Sequence, residues 1–166
     1  MRPFRRILAT ALAAFGVSPG CDRSPATLPD PISTEDVIRQ NATAPVGQSI
    51  KPITLSLSKH TVFVATESAP SSQPTTVKLD KLRFKTDRDN QGRMWAYAYT
   101  SQPELLRAFP QGTPYVEIAF PSFFDIINKD GNFAGIFLNS GSDCSYPIVG
   151  ELFSVVSALL KQPADG

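Results

Sequence analysis

From His60 onward the chain alternates short apolar runs with turn chemistry. "HTVFVATE", residues 60–67, is β-branched and short, and predicts a strand. "SAPSSQPTT", 68–76, is a loop by composition. "KLRFKT", 81–86, sets Leu82 and Phe84 against Arg83 and Lys85, and "RMWAYAYT", 93–100, alternates again. Period two is the signature of a half-buried strand. With "DRDNQG" at 87–92 as the turn, 81–100 predicts a hairpin. "SQPELLRAF" starts a helix, because Ser101 and Glu104 have capping-box spacing and Pro103 falls in the first turn. "PYVEIAF", 114–120, is a strand with Val116, Ile118 and Phe120 on one face. "PSFFDIINK" repeats the helix-start logic with Ser122 and Asp125, and Asp130-Gly131 turns the chain. "NFAGIFLN", 132–139, is nearly all apolar, as in a strand buried on both faces. "GSDCSYP" is a loop; Pro147 then opens a last helix with an apolar stripe of Leu152, Val155, Val156, Leu159 and Leu160.

Before His60 the pattern is weaker. Ser33 and Thr34 ahead of Glu35, Asp36, Val37 and Ile38 read as a capped helix start with acids in its first turn. The stretch from Ala44 to Pro52 is ambiguous between helix and loop. The order of elements predicts a single α+β or α/β domain, in which one mixed β-sheet of about five strands is packed by three to four helices.

The first 20 residues do not fit that domain. Arg2, Arg5 and Arg6 precede an apolar run from Ile7 to Val17, which ends in Ser18-Pro19-Gly20. The run falls short of the roughly 20 apolar residues that a membrane span needs. Basic start, short apolar middle and small residues are the layout of a secretory signal. No clean A-x-A site comes after it; Cys21 does. This resembles the lipobox of bacterial lipoproteins, in which the cysteine is acylated and becomes the new N-terminus. Ser18 and Pro19 depart from the Leu and small residue that the lipobox prefers at those positions. Lipidation of Cys21 is the leading reading, beside a cleaved soluble export signal and a retained N-terminal segment. The lipoprotein resemblance implies a membrane anchor on Cys21, and Asp22 directly after it implies retention at the periplasmic face of the inner membrane in a Gram-negative cell. Pro25, Pro29 and Pro31 stiffen the segment behind it. The expected organisation is a signal peptide at 1–20, a lipidated Cys and Pro-rich tether at 21–32, a folded domain at 33–161 and a tail at 162–166.

Composition narrows the function classes. The 166 residues are enough for one core, with 42% hydrophobic and 19% charged positions. The net charge is +1, and without the three leading arginines the remainder is slightly acidic. That argues against nucleic acid as a partner. Two cysteines, Cys21 and Cys144, make no disulfide framework, although they could pair if Cys21 is not acylated. A single histidine, His60, excludes a multi-histidine metal site.

From about Ser33 to Lys161 the order of elements resembles the N-terminal domain of the SseB family of bacterial proteins. The stretches that carry this are "HTVFVATE", "WAYAYTSQPELLRAF", "YVEIAFPSFFDII" and "GIFLNSGS". In that family a strand ends in an aromatic-Thr-Ser step directly before a helix, as at Tyr99-Thr100-Ser101. A later strand ends in Leu-Asn-Pro-Gly; here it is Leu138-Asn139-Ser140-Gly141, without the proline. The resemblance implies a fold and leaves the activity open.

Few residues offer chemistry. His60 and Cys144 are the candidates for an exported hydrolase, but no G-x-S-x-G elbow is present and Asp143 beside Cys144 opposes a thiolate. Asp87-x-Asp89-Asn90-x-Gly92 faintly resembles a calcium loop, yet its twelfth position is Ala98, which cannot ligate a metal, so a hairpin turn is expected. Neither a metal nor another cofactor is implied. Trp95, Tyr97 and Tyr99 share one strand face opposite Met94, Ala96 and Ala98. Those rings either pack under a helix or form a platform for a protein or glycan partner. The expectation is a non-catalytic, envelope-anchored module that binds a protein or cell-wall component. The alternatives are the hydrolase and an exported subunit of a larger assembly.

Overall fold

The computed structural model describes residues 32–68 and 83–162. The export tag, Cys21, the tether through Pro31, nearly all of the 68–76 loop, Leu82 and the tail beyond Gln162 lie outside the described residues. Any pairing of Cys21 with Cys144 therefore does too; Cys144 is buried and has no disulfide partner among the described residues.

The class is the mixed α+β domain expected, with more elements than expected. Among the described residues there are five α-helices: α1 (Thr34–Asn41), α2 (Val46–Leu57), α3 (Gln102–Ala108), α4 (Phe120–Asp130) and α5 (Phe153–Leu160). Six strands form β1 (Thr61–Ala65), β2 (Thr86–Arg88), β3 (Met94–Ala98), β4 (Tyr115–Ala119), β5 (Phe133–Leu138) and β6 (Tyr146–Val149). They make two sheets: β1 antiparallel to β4, and a four-stranded sheet in the order β2-β3-β5-β6. In the larger sheet β3 and β5 are parallel and the outer pairings antiparallel. Two mutual hydrogen bonds between Phe63 and Tyr99 stitch β1 to the end of β3.

Ser33 caps α1 as expected: its side chain accepts from the Asp36 N–H. The ambiguous stretch is α2. Pro45 is its N-cap residue, and Ile50, Ile53 and Leu57 are buried one above another at helical spacing. Pro52 inside α2 gives up one backbone donor, and the buried apolar stripe outweighs that loss. In the first hairpin the ladder begins later than expected. Of the expected strand 81–86 only 83–86 is described, and that part is not a continuous strand. Phe84 makes an isolated bridge to Thr66, and β2 takes in Asp87 and Arg88, which the composition assigns to the turn. Helix α4 begins at Phe120, two residues before Ser122, and takes that phenylalanine from the strand. Its buried Phe120, Phe123, Phe124 and Ile127 set the register, and Ser122 caps nothing. Ser101 stands at the N-cap of α3 but makes no capping bond.

The largest correction is at Pro147. It does not open a helix; it lies exposed in β6, an edge strand whose Tyr146 and Ile148 point into the core. Proline is tolerated there because an edge strand has a side on which no ladder bond is needed. A short 3-10 turn, Gly150–Leu152, leads from it to α5.

The two sides of the larger sheet differ. Ala96, Ala98, Ile136, Leu138 and Ile148 are buried in one core with the phenylalanines of α4 and the apolar stripes of α1, α2 and α5. Trp95, Tyr97 and Phe137 lie on the opposite side, only partly buried. A bulge between Met94 and Trp95 shifts the pairing so that Trp95 stands opposite Gly135. A Cβ at Gly135 would come to 2.5 Å from the indole and 2.6 Å from the Ile148 carbonyl oxygen. The glycine therefore lets the ring lie across the sheet.

Replacing Gly135 with Ala is expected to cost about 1–3 kcal/mol of stability, as overpacking does. Trp95 is the only tryptophan, so its emission reports the same site directly. Denaturation monitored by that emission should show a lower midpoint and a red-shifted folded baseline. Adding Trp95→Ala should not restore the loss, because the Ile148 carbonyl still blocks the methyl group. An unchanged midpoint in the single variant would refute the close approach.

Candidate functional site

The parallel strands β3 and β5 end side by side, and one side chain, that of Asn139, holds the residues just beyond both ends. Asn139 comes directly after β5 with φ 47, a left-handed conformation that asparagine tolerates better than most residues. Its N–H continues the ladder to Ala98 O at 2.9 Å. Its fully buried side chain accepts from the Thr100 N–H at 2.9 Å and donates to Thr100 Oγ1 at 2.9 Å. The Thr100 hydroxyl in turn donates to Glu35 Oε1 at 2.7 Å. Burial pushes the Glu35 carboxyl up, but hydrogen bonds from Thr100, its own backbone and Ser101 outweigh that and leave it below its ordinary value. On the other side Asn139 Nδ2 reaches Cys144 Sγ at 3.3 Å. Arg39 donates to Asp143 at 3.0 Å, and this pairing is the main reason the Asp143 carboxyl is lowered. One polar network thus ties α1 to both strand ends.

Beside this joint lies an open groove of about 560 Å³. Tyr97, Tyr99, Ala108 and Phe109 give it apolar lining, and Glu67, Lys85, Thr86, Asp87, Ser140 and Gly141 complete it. Ligands of open α/β sheets commonly sit at the carboxyl ends of parallel strands, and this groove has that position. A second hollow of about 290 Å³, lined by Arg88, Asp89, Trp95, Tyr97 and Phe137, shares Tyr97 with the first. Tyr97 stacks on Phe137 at 6.3 Å between ring centroids, and Trp95 is tilted against Phe137 at 6.0 Å.

The three aromatics singled out from the sequence divide. Tyr99 packs under a helix: it is buried with Leu105 of α3, and Phe109, the C-cap residue of α3, meets it edge-on at 6.0 Å. Burial, with Tyr97 adding a little, pushes its phenol up to about 12. Trp95 and Tyr97 remain partly exposed and line the hollows; burial and then the Asp87 charge raise the Tyr97 phenol. Phe137, Phe109 and Lys85 complete the site; the sequence placed them within expected elements, in "NFAGIFLN", "SQPELLRAF" and "KLRFKT", but gave none of them a binding role.

The structure gives His60 and Cys144 separate surroundings. The His60 ring is exposed with Nδ1 2.6 Å from Ser56 O. Cys144 is wholly buried, with Ser142 Oγ at 3.2 Å and Asn139 Nδ2 at 3.3 Å from its sulfur. Neither residue lines either hollow. Among the described residues no group of His, Cys, Asp and Glu is arranged to hold a metal ion, and no helix is long and apolar enough to cross a membrane.

The calcium-like stretch is a hairpin turn, organised by Asp89. Its carboxylate accepts from the Gln91 and Arg93 N–H groups, from Arg93 Nε at 2.8 Å and from Trp95 Nε1 at 3.2 Å. Desolvation raises this carboxyl, but the donors outweigh it and bring it to about 2. Asp89 thereby orients the indole that lines the second hollow.

This geometry sets two expected outcomes. Asn139→Ala should cost about 2–4 kcal/mol in urea denaturation, since it leaves the Thr100 N–H unpaired and keeps a positive φ. Asn139→Gly should recover about 1 kcal/mol of that, the backbone share alone. A loss under about 1 kcal/mol in Asn139→Ala would show the joint to be dispensable. For Asp89 the folded carboxyl lies below its ordinary value of 3.8. Its contribution is therefore full above that value and is lost as pH falls through about 2. Wild type should be more stable than Asp89→Asn at neutral pH, and their urea midpoints should converge towards pH 2. A gap that persists there would sink the assignment.

No curated protein matches the chain, and no solved structure does. The family model of the SseB protein N-terminal domain matches residues 36–153, which is well over half of the chain and spans every element from α1 to the start of α5. The chain belongs to the SseB family through this domain.

Proposed function

We propose that this SseB-family domain is a non-catalytic recognition module, held at a membrane through an acylated Cys21, that binds a protein or cell-wall partner on the aromatic side of its four-stranded sheet. The observation that carries the binding reading is the pair of adjoining hollows that share Tyr97. Aromatic side chains left half in water, in a concave setting with a few polar groups beside them, are the usual composition of a binding surface. The anchoring reading rests on the basic start, the short apolar run and Cys21, with a proline-rich spacer behind them. Two or more acyl chains give stable attachment, at about 0.8 kcal/mol per buried methylene. The inner-membrane placement rests on Asp22. The hydrolase alternative lacks a site: the Cys144 sulfur is buried among its hydrogen-bond partners, the exposed His60 ring has Ser56 O and the Glu35 charge near it, and neither residue lines a hollow.

Titration of the purified domain with envelope protein fractions and with muropeptides should shift Trp95 emission for one of the two. Tyr97→Ala should weaken that response about tenfold or more, the effect of removing a central aromatic contact, without a comparable loss of stability. Silence of Trp95 towards both kinds of fraction would remove the binding reading. For the anchor, the full chain should partition into detergent with an acyl mass on Cys21, and Cys21→Ser should leave it in the aqueous phase. Full-length protein that stays soluble after lysis without that mass would refute the anchor alone.

A further inference from the structure

We infer that the groove beside Tyr97 receives an arginine or lysine side chain from a basic segment of a partner protein. This rests on the reading of the aromatic side as a binding surface and adds the charge of what it binds. Three rings line the groove, Tyr97, Tyr99 and Phe109. Its lining also holds two carboxylates, Glu67 and Asp87, against a single cation, Lys85. Both carboxylates are exposed, and among the described residues neither is in an ion pair. The acidic side chains elsewhere in this region are already taken: Asp89 by Arg93 and Glu104 by Arg107. The groove therefore combines an excess of carboxylates with aromatic lining.

The chain itself shows what such rings attract. Lys85 Nζ lies over the Phe109 ring, 5.0 Å from its centroid. Cation–π contact is favourable when exposed and more so when desolvated. Among the residues that line the groove Lys85 is the one cation, and it lies over Phe109; Arg88, which lines the neighbouring hollow with Tyr97, donates to the Gly92 carbonyl oxygen at 2.6 Å. A flat guanidinium can stack on Tyr97 and face Asp87 at once, and an ammonium can do the second. An anionic occupant, whether a phosphate, a lipid headgroup or an acidic peptide, would meet Glu67 and Asp87 head-on. The neighbouring hollow with Trp95 and Phe137 would then take an apolar side chain of the same segment.

The test uses three blocked tripeptides, acetyl-Gly-Xaa-Gly-amide with Xaa as Arg, Glu or Leu, titrated into the isotopically labelled full chain. The Arg peptide should move the amide signals of Asp87, Tyr97 and Ser140, and the Glu peptide should leave them in place. Glu67→Gln with Asp87→Asn should weaken the Arg peptide about fivefold, and high salt should act in the same direction. Lys85→Ala should tighten it about threefold, because it removes the competing cation. Equal shifts from the Leu or Glu peptide, or an Arg response indifferent to the double substitution, would overturn the charge assignment while Tyr97→Ala still abolished binding of the envelope ligand. No shift from any peptide, together with Trp95 silent towards the envelope fractions, would overturn this inference and the binding reading together.

Discussion

Much of the structure hangs on the amide of Asn139. It stands where two parallel strands end, in a backbone conformation that most residues avoid, and satisfies Thr100 of the neighbouring strand with both its oxygen and its nitrogen. Parallel strands have no hairpin to fix their relative register, so a side chain that bridges their ends does that work. The consequences spread outward. Thr100, held by Asn139, presents its hydroxyl to Glu35 and so places α1. The turn that begins at Asn139 continues through Ser140 and Gly141, which line the groove. The same amide reaches the Cys144 sulfur, which makes that thiol part of the joint. Leaving any of these buried groups unpaired would cost about 1–3 kcal/mol, so the network is stable as a unit and poorly tolerant of partial loss.

The uneven strand β3 has its explanation in the two sides of the sheet. Ala96 and Ala98 face a core crowded by Phe120, Phe123 and Phe124, and small side chains there make room for large ones on the facing helix. The opposite side has the reverse arrangement: Trp95 and Tyr97 are large, and the glycine opposite Trp95 is the smallest residue available. Asp89 then fixes the indole nitrogen and Phe137 meets its ring. An indole held by a hydrogen bond, a ring contact and a tailored gap in the next strand is positioned before any ligand arrives. Binding on that side would lose little side-chain entropy.

Legibility in the sequence tracked the strength of the period. The strands at 61–65, 94–98, 115–119 and 133–138 were readable because β-branched or alternating residues stand between clear turn signals. The stripe of α5 was readable in part: Val156 and Leu159 are buried, but Val155 is exposed and Leu152 belongs to the 3-10 turn before the helix. The start was not readable: Pro147 looks like a helix opener, and only the buried Tyr146 and Ile148 around it mark the edge strand. Helix α2 was hidden by Pro45, Gly47 and Pro52, three residues that weigh against a helix locally and are overridden by Ile50, Ile53 and Leu57 in the core. The site was legible in outline through Trp95, Tyr97 and Tyr99, which share a face as the alternation requires. That Tyr99 is buried while the other two are not depends on where α3 lies, and that is a tertiary fact. Lys85 and Phe109 meet across the groove from distant parts of the chain, which no spacing rule anticipates.

The half-exposed aromatics are better read as a surface for binding than as unfinished core. Folding gains roughly 25 cal/mol for each Å² of apolar area removed from water, and the rings of Trp95, Tyr97 and Phe137 leave part of that gain unrealised. A side chain whose only task was stability could be shorter here, as Ala96 and Ala98 are one residue away on either side of Tyr97. Gly135 sharpens the point. A glycine within a strand is itself destabilising, by about 0.5–1 kcal/mol relative to alanine. The fold accepts that cost so that an indole can pass close over the strand in a place where it is only partly buried. Stability alone would favour a modest side chain at each of the two positions; a large, oriented ring over a glycine is the arrangement that presents an aromatic surface to something else.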